Sequence, residues 1–286
     1  MCDDEIHQGV ITEVKLSRRG FGLAGVAVAG LAGEARAAAV VERDVDVRTP
    51  DGTADAALFY PQGRGSWPAV LIWPDVVSLR PVFRQMGQRL AAEGYVVLVP
   101  NLYYRVKRAP VVEPGFNFGD PAQREKITPM RATVTPEGTM RDAKAYLAFL
   151  DAQRQTARRK KAGVQGYCMG GPLAFRTAAA VPDRIGAVAS FHGGGLTADE
   201  ADSPHRLVPR TRAEYLVLIA DNDDARDPKS KETLKAALDA AGRPSKVEVY
   251  KDSPHGWTVP GGQSYRPGTA ERAWAELLSL YQRALT

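Results

Sequence analysis

"AGVQGYCMGG", residues 162–171, is the stretch on which the fold turns. Its first six residues read as a short buried strand, and "GPLAFRTAAA" (171–180) beyond it reads as a helix. Cys168 stands between the two, with Gly166 and Gly170 two residues to either side and Gly171 following. In so tight a strand–turn–helix, a side chain at either flanking position would run into the adjoining element, and glycine removes that conflict. A thiol at a helix N-terminus also feels the positive end of the macrodipole, which favours thiolate. Glycine-rich turns serve packing alone in other settings, so the meaning of Cys168 depends on what the rest of the chain brings to it.

Outward from this point the pattern alternates. "PAVLIWP" (68–74) and "YVVLVP" (95–100) are unbroken apolar runs, as expected of strands buried on both faces. Between them lies a helix over 81–93, stopped at Gly94. Residues 137–153 are amphipathic, with Met140, Ala143, Leu147 and Leu150 on one face. Further strands are expected at 185–191, 214–220 and 246–250, and further helices at 229–241 and 270–284. Before all of these, "VVERDVDV" (40–47) alternates, turns at "TPDG" (49–52) and returns through "ADAALFYP" (54–61), an antiparallel hairpin. Residues 101–136, rich in Pro, Gly and charge, read as an excursion over the sheet. The expectation is one α/β domain over residues 38–286: a three-layer sandwich around a mainly parallel sheet, opened by an antiparallel hairpin.

In such a sheet ligands gather at the carboxyl ends of the strands. Two more stretches end there. "LVLIADNDDARDP" (216–228) supplies Asp221, Asp223, Asp224 and Asp227 directly after a strand, and "YKDSPHGW" (250–257) supplies His255 after the last one. Nucleophile, then acid, then base is the chain order of α/β-hydrolase triads. The aspartates also suit a solvated turn, and His255 a plain turn residue. His192, in "SFHGGG", follows a different strand and reads as a pocket wall, while His205 reads as surface loop. The oxyanion donors expected in this arrangement are the backbone N–H of Met169, after the nucleophile, and of Val76, after the first buried strand.

Composition narrows the class. The 286 residues carry a formal charge of +5, and 44% are hydrophobic. The densest basic run, Arg158-Arg159-Lys160-Lys161, lacks interleaved aromatics and follows a helix, so it reads as a solvated helix end and not as a nucleic-acid surface. No stretch reaches the roughly 18 apolar residues of a membrane span, and the two cysteines and scattered histidines show no metal-ligand spacing. Residues 1–37 differ from the rest: Arg18-Arg19, then "GLAGVAVAGLAG" (22–33), then Ala35-Arg36-Ala37 as an A-x-A cleavage site. This resembles a twin-arginine export signal, which implies the twin-arginine export machinery as partner and a periplasmic or exported protein. Cleavage there would remove Cys2 and leave Cys168 as the sole thiol, which an internal disulfide cannot then occupy.

Together "GYCMGG", "PAVLIWPDVVSLRP" (68–81), "AAEGYVVLVPNLYYR" (91–105) and "DSPHGW" (252–257) resemble the dienelactone hydrolase family, over nearly all of the chain after the signal. The resemblance implies a Cys–His–Asp triad cleaving cyclic enol esters and related esters, without metal or organic cofactor. By position Cys168 is the nucleophile, His255 the base and Asp223 the acid, with Asp224 as the alternative acid. Asp75 stands where the family often carries a glutamate that contacts the resting thiol. Arg105 matches a residue that holds a substrate carboxylate, its other reading being a surface ion pair, and Tyr104 beside it is a candidate substrate contact. A second carboxylate-binding arginine, expected four residues after the histidine, is replaced by Val259, which points to a less acidic ester or lactone. The competing readings are a broader carboxylesterase or thioesterase on the same scaffold, a thiol-redox protein, and an exported binding protein without turnover.

Overall fold

The apolar runs form the centre of a single sheet. The computed structural model describes residues 39–286, so the expected export signal lies outside the described residues. The described residues form eight strands: β1 (Val40–Thr49), β2 (Gly52–Pro61), β3 (Ala69–Trp73), β4 (Val96–Pro100), β5 (Ala162–Tyr167), β6 (Ile185–Phe191), β7 (Glu214–Ala220) and β8 (Ser245–Tyr250). They lie in the order β1-β2-β4-β3-β5-β6-β7-β8. β1 pairs antiparallel with β2 and β2 with β4, whereas every pairing from β4 through β8 is parallel. The sequence expectation of a mainly parallel sheet entered through a hairpin therefore holds.

Alternate residues of the central strands feed two cores. Ala69, Leu71 and Trp73 of β3 join Val96 and Leu98 of β4 on one face, and Val70 and Ile72 join Val97 and Val99 on the other. Such strands bury side chains on both faces, which is why they read as continuous apolar runs instead of alternating. Helices α3 (Pro136–Ala152), α4 (Gly170–Ala180) and α7 (Ser230–Ala240) cover the first face. Helices α1 (Pro81–Ala92) and α8 (Pro267–Ala284) cover the second.

Four details depart from the sequence reading. The buried stripe of α3 runs through Thr139, Asp142, Ala143, Tyr146, Leu147 and Leu150, and Met140 is only half-buried. The 101–136 excursion contains a helix, α2 (Pro121–Arg131), whose N-cap Asp120 accepts from the Ala122 N–H and which buries Ile127 and Met130. The acidic run after β7 is itself a short helix, α6 (Asp221–Arg226), and α5 (Pro204–Leu207) lies between β6 and β7. Among the described residues no helix is long and apolar enough to cross a membrane.

Candidate active site

The turn around Cys168 is as tight as its glycines suggest. Cys168 has φ 52°, in the left-handed region, and is buried. A Cβ on Gly166 would stand 1.9 Å from the carbonyl oxygen of Gly170, and one on Gly170 would stand 2.3 Å from that of Trp73. Both clashes are with backbone, so no rotamer relieves them. The Cys168 N–H donates to Phe191 O at the end of β6 (3.0 Å), and Trp73 Nε1 donates to Thr177 Oγ1 (2.8 Å), tying β3 to α4. Cys168 is thus held at the carboxyl end of β5, immediately before α4.

The next three strands each deliver a functional-type side chain at the same rim. After β6 comes His192, φ 43°, its ring nitrogen Nε2 bonded to Thr258 Oγ1 at 2.9 Å. After β7 comes Asp223, and after β8 comes His255, buried to 1% exposure. The loop after β8 is bonded to the start of α6. The Asp221 N–H donates to Ser253 O, the Ser253 N–H to Asp221 Oδ2, and the His255 N–H to Asn222 Oδ1 (2.8 Å). His255 Nδ1 meets Asp223 Oδ2 at 2.6 Å, and its ring lies 4.7 Å from that of His192, centroid to centroid. The imidazole therefore sits against the residue that follows Phe191, whose carbonyl holds the Cys168 N–H.

The two expected acids face different partners. Asp224 turns to Lys231, with Oδ1 and Oδ2 at 2.7 and 2.8 Å from Nζ, while Asp223 faces His255. Residues 223 and 224 are consecutive in α6, so their side chains point about 100° apart, which follows from 3.6 residues per turn.

Both expected oxyanion donors lie in peptides whose orientation is fixed from the other side. Gly171 N–H donates to Cys168 O (3.0 Å), and Ser78 N–H donates to Asp75 O (2.9 Å). A planar trans peptide points its N–H opposite to its C=O. With those carbonyls committed to their own turns, the N–H groups of Met169 and Val76 are directed away from them. Tyr103 connects the two residues: its hydroxyl donates to Val76 O at 2.7 Å and lies 3.9 Å from Met169 Sδ.

Asp75 is gripped by Arg80, which donates from Nη1 (2.6 Å) and Nη2 (2.8 Å), and it also accepts the Val77 N–H at 2.9 Å. Arg105 lies in an ionic cluster below the β1–β2 turn. It donates to Asp51 Oδ2 (2.6 Å) and Asp142 Oδ1 (2.9 Å) and stacks on Tyr104, whose hydroxyl bonds Asp142 and Thr49. A substrate carboxylate at Arg105 would have to compete with two carboxylates of the chain itself. Val259 is buried and apolar.

The cluster has a pH signature. Burial holds the Asp142 carboxyl above the usual carboxylate range, even though Arg105 and Tyr104 donate to it. The native chain then keeps this proton to higher pH than the unfolded chain. The group's contribution to stability is full below the unfolded value and is lost as pH rises through the folded one. Asp142→Asn cannot ionise, so its melting temperature relative to wild type should move upward as pH rises from about 4 to about 7. Thermal melts of both proteins across that range check the sign, and a relative decline would mean that attraction to Arg105 outweighs burial.

The family model for "Dienelactone hydrolase family" matches residues 54–285. The chain belongs to the dienelactone hydrolase family. It is 28% identical, over 78% of its length and 79% of the relative's, to an Escherichia coli K12 protein provisionally named a carboxymethylenebutenolidase. It is 24% identical, over 84% and 90% of the two lengths, to the carboxymethylenebutenolidase of Rhodococcus opacus. A Klebsiella pneumoniae crystal structure provisionally titled a dienelactone hydrolase superposes with a TM-score of 0.73 at 21% identity, covering 86% of this chain and 99% of that one. This dienelactone hydrolase family member is a hydrolase acting on carboxylic esters.

Four site features escaped the sequence reading. Tyr103, Ser78 and Asn101 build the wall beside Val76, with Ser78 Oγ bonding Asn101 Oδ1 (2.9 Å) and the Leu102 N–H (2.8 Å). Asn222 holds the His255 backbone. Only the position of "PNLYY" (100–104) directly after a strand could have flagged Asn101 and Tyr103.

Proposed function

We propose that the chain hydrolyses a lactone, enol ester or related carboxylic ester through Cys168, by way of a thioester acyl-enzyme. The observation that carries this reading is the His255–Asp223 bond of 2.6 Å at the strand rim that also bears Cys168. Asp223 fixes the imidazole through Nδ1, which leaves Nε2 as the atom that exchanges a proton with the thiol. His255 draws the proton from Cys168, the thiolate attacks the ester carbonyl, and the oxyanion is received by the N–H groups of Met169 and Val76. Collapse expels the alkoxide or enolate, protonated by the imidazolium. Water, deprotonated by His255, then cleaves the thioester and regenerates the thiol. No step calls for a metal or an organic cofactor.

The substrate we infer is less acidic than a dienelactone. Val259 stands where a second cation would be, and Arg105 is engaged by Asp51 and Asp142. The Arg18-Arg19 signal supports action outside the cytoplasm, after passage through the twin-arginine export machinery.

A hydrolysis panel of neutral lactones, aryl esters and acyl thioesters tests the reading, and absence of turnover on every class would refute it. Within active substrates the two aspartates should separate. Asp223→Asn should lower kcat by about 10²–10⁴, because the wrong imidazole tautomer is then favoured. Asp224→Asn, which loses only a partly exposed pair with Lys231, should stay within about threefold. Equal losses in both variants would contradict the assignment of Asp223.

A further inference from the structure

The geometry points to Tyr103 as a positioning residue for the oxyanion site, an inference that rests on the hydrolase reading above. The turn carrying Val76 is held by one backbone bond and several side-chain bonds. Asp75 O accepts the Ser78 N–H, and Asp75 Oδ1 accepts the Val77 N–H. Ser78 holds φ 64° and is fully buried, with its hydroxyl bonded to Asn101. Asn101 is fixed in turn by bonding Asp55 Oδ1 and Lys107 O, both from its amide nitrogen.

One peptide in that turn is held at both ends. The Val76–Val77 peptide gives its N–H to Asp75 Oδ1 and its C=O to the Tyr103 hydroxyl, 2.9 and 2.7 Å away. Fixing that plane fixes ψ of Val76. With the Asp75 carbonyl committed to Ser78, the direction of the Val76 N–H is then determined. Without the phenol, the carbonyl of Val76 loses its buried donor, and the peptide can rotate about the remaining bond to Asp75. The same hydroxyl touches Met169 Sδ, so it spans the two residues whose N–H groups are assigned to the oxyanion. Tyr103 is itself fully buried, and its own N–H bonds Asn101 Oδ1 at 3.0 Å, so it belongs to the same network that sets the turn.

Such a residue acts on the transition state through the direction of the Val76 N–H. Tyr103→Phe removes one oxygen and keeps the ring. Loss of a whole oxyanion donor costs about 10²–10³ in rate, so a misdirected one should lower kcat by about 10–10² with KM little changed. Alkylation of Cys168 by iodoacetamide forms no oxyanion, and its pH–rate profile should match wild type within about twofold. Rates are referred to thiol titrated in the native protein, which removes any loss through unfolding.

A kcat equal to wild type overturns the inference. So does a kcat loss matched by an equal loss of alkylation rate, since Tyr103 would then act on the thiol or on the fold as a whole. Should the phenylalanine variant fail to fold, Tyr103→His is judged by the same pair of assays and the same outcomes. Failure of the hydrolase reading looks different: wild type would hydrolyse none of the panel esters, or Cys168→Ala would keep turnover.

Discussion

Cys168→Ala should lower kcat by about 10⁴–10⁶ on any ester that the wild-type protein hydrolyses, with the fold intact. Alanine is accommodated because Cys168 is buried between elements fixed by their own backbone bonds, its N–H to Phe191 O and its C=O to Gly171 N. Removing sulfur therefore costs little beyond one buried atom, and circular dichroism and thermal melting should stay close to wild type. On the proposed mechanism what disappears is the nucleophile, and His255 with Asp223 would then only assist direct attack by water. The residual rate over uncatalysed hydrolysis, of order 10³–10⁴ in comparable triads, would come from the oxyanion donors and from binding.

The same variant separates the competing readings. An exported binding protein would keep its ligand affinity and show no turnover in either form. A thiol-redox protein would lose oxidant consumption and have no hydrolysis to lose. For the hydrolase, isothermal titration with a non-hydrolysable ester analogue should give a Kd within about threefold of wild type while turnover vanishes, because the thiolate's contribution is made in the transition state. Retention of more than about a tenth of the wild-type kcat would remove Cys168 from the chemistry.

The fold was readable because its signals are local and strong. β6 and β7 begin and end where their apolar runs do, and α7 matches within one residue at each end. The placement of His255 and Asp223 was also readable, since each follows a strand at a rim that the topology dictates. Which of Asp223 and Asp224 would face His255 was not. It depends on the rotation of α6, a helix of six residues in a stretch whose composition suits a turn equally well, and on a lysine seven residues further along. Arg105 was ambiguous for a similar reason: its partners Asp51 and Asp142 lie 54 and 37 residues away and meet it only once the hairpin turn packs near α3. The wall of Ser78, Asn101 and Tyr103 left no periodic trace at all, because polar residues in two loops have no spacing rule to obey. What sequence patterning encodes is burial, and buried polar networks are its exception.

Gly166→Ala carries the largest expected effect on stability. The added methyl would lie 1.9 Å from Gly170 O, 2.3 Å from Gly170 C and 2.8 Å from Gly171 N. None of these atoms can move unless the first turn of α4 moves, and α4 is anchored to β3 through Trp73 and Thr177. Gly166 also sits mid-sheet, paired with Trp73 on one side and Ser190 on the other, so the strand cannot retreat either. Overpacking typically costs about 1–3 kcal/mol, and a backbone–backbone clash belongs at or above the upper end. At about 2–4 °C per kcal/mol for a domain of this size, the melting temperature should fall by about 6–12 °C or more. Any folded fraction should hold Cys168 displaced, with turnover per titrated thiol down by about 10² or more, as ångström-scale misplacement of reacting groups does. Gly268→Ala provides the contrast. It adds the same methyl in the first turn of α8, where nothing lies within 4 Å, and should be neutral or stabilising by up to about 1 kcal/mol. If the two substitutions shifted the melting temperature alike, the close approach of α4 to β5 could not be what sets the shape of the cysteine turn.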